Sequence, residues 1–106
     1  MIEGHIEEAL KVTGLESYYL YRTNELQECI VYSYTYKPAI KADNEVLSYE
    51  YSILLNTYVS LEKDITAVRD KVIGAMAEAG YKLQPVPTPQ KEKDLINIAL
   101  RFKIAM

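Results

Sequence analysis

Three stretches of strict alternation and two of helical spacing organise this chain. From Glu28 to Lys37, Ile30, Tyr32, Tyr34 and Tyr36 alternate with Cys29, Val31, Ser33 and Thr35, the period-2 signature of a strand whose two faces differ. Pro38 cannot donate to a ladder and is expected to end that strand. Pro38 to Val46 holds Lys41, Asp43, Asn44 and Glu45 and reads as a solvated turn. A second long alternation, Leu47 to Val59, sets Leu47, Tyr49, Tyr51, Ile53, Leu55 and Thr57 against Ser48, Glu50, Ser52, Leu54, Asn56 and Tyr58. These two strands are expected to form a long antiparallel hairpin whose tip, near Asp43, projects. The third alternation, Leu95 to Ile104, puts Ile96, Ile98, Leu100, Phe102 and Ile104 on one face, with Asn97, Arg101 and Lys103 on the other and Ala99 among them.

The helical stretches are Met1 to Thr13 and the segment after Ser60. In the first, Ile2, Ile6, Ala9, Leu10 and Thr13 share a face, early Glu residues suit the helix dipole and Gly14 is a natural stop. In the second, Ser60 is the expected N-cap and Leu61, Ile65, Val68, Val72, Met76 and Ala79 form the apolar stripe, closed by Gly80. Ser17 to Arg22 suits a short strand, followed by a polar turn at Thr23, Asn24 and Glu25, and Tyr81 to Leu83 starts another. Gln84 to Pro89 is held toward polyproline geometry by Pro85, Pro87 and Pro89, and Lys91 to Asp94 continue as a polar loop. Together these elements predict an α+β domain spanning 1–106: an antiparallel sheet of about four strands with two amphipathic helices packed on one face.

Composition sharpens the picture. With 106 residues, 49% hydrophobic and 25% charged, the chain has room for one core and does not resemble a disordered polymer. A net charge of −3 gives no general attraction to nucleic acid. No apolar run approaches the roughly 20 residues that cross a bilayer, and no secretion signal is expected at the start. A single cysteine, Cys29, cannot form an internal disulfide, so an intracellular setting or an assembly built there is expected. Tyrosine usage is unusual: 10 Tyr, one Phe and no Trp. Nearly all aromatic mass therefore carries a hydroxyl, which suits half-solvated strands or surfaces buried on assembly.

Candidate chemistry is sparse. His5 is the only histidine, so one chain cannot build a His-based metal cage or a Ser-His-Asp relay. Cys29, on a strand beside Glu28, has no expected base and reads as a packed thiol. There is no glycine-rich phosphate loop or zinc spacing, and Asp43, Asn44 and Glu45 lack the spacing of a calcium loop. The Glu7-Glu8 and Glu62-Asp64 pairs fit helix starts. No catalytic residue, metal or cofactor is expected.

The element order is similar to that of the tail terminator family (tail completion, or head–tail joining) of long-tailed phages and phage-tail-like particles. The resemblance is carried by a short N-terminal helix, the strand Ile30-Val31-Tyr32-Ser33-Tyr34, and the long strand from Ser48 to Tyr58 leading directly into a helix that ends Met76-Ala77-Glu78-Ala79-Gly80-Tyr81. The final strand from Ile96 to Lys103 completes it. It implies a ring, commonly hexameric, that sits on the end of the tail tube, stops its growth and joins it to the head connector. The implied partners are copies of the chain itself, the tube protein and sheath or connector proteins. DNA would pass through without sequence-specific binding, in a virion or tail-like particle assembled in the bacterial cytoplasm.

A ring of identical subunits needs two different complementary patches. The candidate interface residues are Tyr32, Tyr34, Tyr36, Tyr49 and Tyr51 on the strands, Lys37, Pro38, Lys41 and Asp43 on the hairpin, and Pro85, Pro87 and Pro89 on the stiff loop. The alternative is a small adaptor module of ferredoxin-like form, which would need a defined pocket between helix and sheet.

Overall fold

In the computed structural model, which describes residues 2–22, 27–42, 45–85 and 88–106, two helices cover one face of a six-stranded mixed sheet. Helix α1 spans Ile2–Leu10 and tightens into a 3-10 turn at Lys11–Thr13. The strands are β1 (Ser17–Tyr19), β2 (Cys29–Ala42), β3 (Glu45–Ser60), β4 (Lys82–Leu83), β5 (Gln90–Glu92) and β6 (Leu95–Ala105), and helix α2 (Ile65–Glu78) lies between β3 and β4. The sheet order is β1-β2-β3-β6-β4, with β5 also paired to β6.

This corrects the expected four-stranded antiparallel sheet in both size and orientation. β1 runs parallel to β2, Ser17 opposite Ile30 and Tyr19 opposite Tyr32. Parallel neighbours normally need a crossover of a dozen or more residues. Here β1 is so short, about 10 Å at the rise of a strand, that the return to the start of β2 covers little distance. Leu20 takes a left-handed φ of 73° as the chain leaves β1. β5 was expected to be polar loop: it pairs through its backbone with Leu95–Asn97, while its side chains stay exposed.

Pro38 does not end β2. Ile30 N–H donates to Glu16 and Tyr32 C=O accepts from Leu20, so the backbone groups of even-numbered β2 residues point to the outer edge, away from β3. Pro38 is even-numbered, and its missing N–H falls on that edge, where no ladder bond is lost. The strand continues to Ala42, with register irregularities after Pro38. The proposed tip at Asp43 lies outside the described residues.

The core follows from register. Ile30, Thr57 and Ile98 lie side by side across β2, β3 and β6, as do Tyr32, Leu55 and Leu100, then Tyr34, Ile53 and Phe102. Ile2, Ile6 and Leu10 of α1 and Val72 and Met76 of α2 pack onto this face. Each fully buried side chain of this kind stabilises the fold by roughly 1.5–3 kcal/mol.

α2 begins later than Ser60 suggested. Ser60 is the last residue of β3, its N–H donates to the Glu28 carboxylate, and Leu61 is exposed. Asp64 caps the helix, its side chain accepting from Ala67 N–H at 3.1 Å. At the other end Gly80 (φ 96°) donates to Ala77 and Tyr81 to Met76, the paired bonds of a Schellman cap. Tyr81 and Met76 both enter the core.

Candidate functional site: a tyrosine ladder

Even-numbered residues of β2 and odd-numbered residues of β3 share the helix-covered face. α1 lies along β2 in matched steps: the Tyr32 hydroxyl donates to Glu7, and Glu3 lies beside the Tyr34 hydroxyl. Four helical residues rise about 6 Å and two strand residues about 6.6 Å, so i, i+4 on the helix meets i, i+2 on the strand. Among the described residues α1 begins at Ile2, which borders Tyr34, Tyr36, Tyr49 and Tyr51 and leaves Tyr36 exposed.

Exposure rises accordingly, from 1% at Tyr32 to 61% at Tyr36. Tyr34, Tyr36, Tyr49 and Tyr51 form a continuous ladder of rings, with centroids 6.1 Å apart for Tyr34–Tyr51, 5.6 Å for Tyr36–Tyr51 and 5.5 Å for Tyr36–Tyr49. Tyr19, from β1, joins it 5.5 Å from Tyr34. Such aromatic pairs each add about 0.5–1.5 kcal/mol beyond buried area, so the ladder stiffens the root of the hairpin. Past Tyr49, which exchanges two backbone hydrogen bonds with Met106, β6 has ended and the hairpin continues as a two-stranded ribbon.

Between Ile2, Glu3, Tyr34, Tyr36, Tyr49 and Tyr51 lies an open cup of about 310 Å³. One carboxylate oxygen of Glu3, Oε2, is buried without a hydrogen-bond partner among the described residues. Tyr34 is pushed up to about 12 by desolvation, then by the neighbouring Glu3 carboxylate, so the hydroxyl stays protonated.

Of the expected interface residues, Tyr34, Tyr36, Tyr49 and Tyr51 come together here, and Tyr32 lies beneath α1 in the core. Lys37 faces the opposite side of the sheet, 3.7 Å from Glu50. Pro38 pairs with Tyr49, and Lys41 with Val46 in the ribbon. Pro85 is exposed and lines a groove on the opposite face, with Arg101 and Lys103, while Pro89 is half-buried next to β5. Pro85 and Pro89 thus lie away from the tyrosine rings, whereas Pro38 sits directly across from Tyr49. Pro87, like Asp43, lies outside the described residues.

Sequence reasoning missed Tyr19 and Glu3. Matching the odd–even phase of the two tyrosine runs would have shown the rings to share a face. Glu3 becomes legible only once the step of α1 is laid against β2.

Among the described residues no helix covers the opposite face. Its groove, about 540 Å³, also takes in Ser33, Leu54 and Gln84, and the Arg22 guanidinium lies 3.5 Å above the Tyr58 ring. Cys29 is buried, and desolvation pushes its thiol up, away from nucleophilic reactivity. No group of three His, Cys, Asp or Glu side chains among the described residues is placed to hold a metal. The recess between α2 and the sheet, near Thr13, Val59 and Val68, holds only about 190 Å³, below the roughly 300–1,000 Å³ of small-molecule pockets.

The fold and site define a small α+β domain whose most developed surface is aromatic. No protein-family model matches this chain, and no curated protein does either.

Proposed function

We propose that this chain is a structural assembly protein: it forms a ring at the end of a phage or phage-like tail tube, stops tube growth and joins the tail to the head connector or caps the particle. The observation that carries the assembly part is the tyrosine ladder at the root of the β2–β3 ribbon, half-buried at Tyr34, Tyr49 and Tyr51 and exposed at Tyr19 and Tyr36. Tyrosine supplies large, stiff contact area with few rotatable bonds, as interface centres favour. A run of five aromatic rings on one side of a 12.1 kDa domain is what a surface buried on association would present. The tail-tube part rests on the resemblance in element order. Non-enzymatic action follows from the same reading, with copies of the chain and the tube protein as partners and DNA passing through the ring unread.

Light scattering coupled to size-exclusion chromatography, with negative-stain imaging, tests this directly. The expected result is a ring of defined subunit number that binds the ends of cognate tubes and blocks their elongation. A protein that stays monomeric and leaves tube growth unchanged would sink the proposal.

A further inference from the structure

At the level of the tyrosine ladder no helix among the described residues covers the other side of the sheet. Register places Lys37, Glu50, Arg101 and Lys103 there, and Lys82, opposite Lys103, joins them. Four cations face one carboxylate in a chain whose net charge is −3. Glu50 is shared between Lys37 at 3.7 Å and Lys103 at 3.8 Å. Arg101 and the Lys82 ammonium have no carboxylate partner among the described residues.

The ladder side carries the complementary equipment. A carboxylate at one end and tyrosine faces around it form the chemistry that recognises an ammonium or guanidinium group. The protein already stacks one guanidinium on tyrosine, Arg22 on Tyr58. Oε2 of Glu3 is a buried acceptor still lacking a donor among the described residues, which is costly unless something supplies one.

We propose that the cup around Glu3 receives a cationic side chain, Arg101 foremost, from the opposite sheet face of a second copy of this chain. This rests on the self-assembly reading above and adds the two surfaces that would meet. Cup and basic strip lie on opposite faces of one sheet, so the contact is heterologous: each pairing leaves one free cup and one free strip, and growth continues until the rotation closes. Nucleic acid is the less favoured occupant of the strip. A carboxylate among four cations weakens the electrostatic attraction on which phosphate binding depends, and Glu3 Oε2 would still lack a donor.

A mixing experiment tests this. One variant carries Glu3→Gln and Tyr36→Ser, the other Arg101→Glu; all three side chains can change without emptying the core, and circular dichroism checks the fold. In sedimentation velocity each variant alone is expected to associate at least about tenfold more weakly than the parent. An equimolar mixture forms a one-to-one dimer that grows no further, because only one intact cup and one intact strip remain. Variants that assemble like the parent would overturn the inference and leave the ring reading standing. Loss of assembly with no dimer in the mixture would overturn the head-to-tail pairing. So would a strip that binds a duplex oligonucleotide through Arg101, with unchanged self-association. A parent chain that is monomeric at every concentration would remove both proposals together.

Discussion

The Tyr32 hydroxyl, near the start of β2, donates a hydrogen bond to the Glu7 carboxylate on α1. Tyr32 is 1% exposed, so its ring belongs to the core while its hydroxyl reaches the edge of the helix. Tyr32→Phe keeps the ring and loses a bond to a charged acceptor, an expected cost of about 1.5–3 kcal/mol. Tyr32→Ser also empties a core site and is expected to cost about 3–5 kcal/mol. Urea denaturation separates the two. By contrast Tyr36→Ser, at a site 61% exposed, empties no core site and is expected to lose only the ring contacts with Tyr49 and Tyr51, each about 0.5–1.5 kcal/mol.

Thr57 is fully buried between Ile30 and Ile98, and its hydroxyl has no hydrogen-bond partner among the described residues. Burying an unpaired hydroxyl is unfavourable. Thr57→Val keeps the branched shape and removes it, so a gain of about 1 kcal/mol is expected. Thermal and chemical denaturation read it.

Asp64 caps α2 through Ala67 N–H, and Asp64→Ala is expected to cost about 1 kcal/mol. Ser60→Ala removes only a long contact from Glu62 N–H at 3.3 Å and should have little effect. A larger loss at Ser60 than at Asp64 in denaturation experiments would contradict this assignment.

Tyr81 is buried, with its hydroxyl 2.6 Å from His5 Nδ1, and desolvation pushes it up to about 12. The folded protein therefore holds this proton more tightly than the unfolded chain, where tyrosine titrates near 10. The resulting stability is fully present below about pH 10 and is lost as pH rises toward about 12. For Tyr81 alone the loss is on the order of 3 kcal/mol. Denaturation across this range, with tyrosinate absorbance as a second readout, should show it, and Tyr81→Phe should flatten the fall.

Much of this layout was written in the alternation of β2, β3 and β6 and in the stripe of α2, because burial of one face imposes a period that sequence displays directly. What stayed hidden was decided by edges and neighbours. Pro38 announces a missing donor but not that the donor would have pointed away from β3. Gln90-Lys91-Glu92 is a strand by backbone pairing alone, with no side-chain pattern to reveal it. β1 has three residues, too few to show which way its partner runs. Ser60 and Asp64 are both good caps by type, and only the four extra residues by which β3 and its following turn delay α2 choose between them. For the candidate site, alternation predicts that the tyrosines share faces. It does not predict that α1 covers Tyr32 and leaves Tyr36 exposed.

Pro38 has one more consequence. An uncovered strand edge is an invitation to endless cross-strand stacking, the route to fibrils. A chain laid along the outer side of β2 beyond β1 meets hydrogen-bonding groups at Tyr34 and Tyr36 and then a residue with no proton to give. The protein can therefore display a tyrosine-rich, β-prone ribbon in quantity and still refuse the open-ended polymer that such a sequence would otherwise favour.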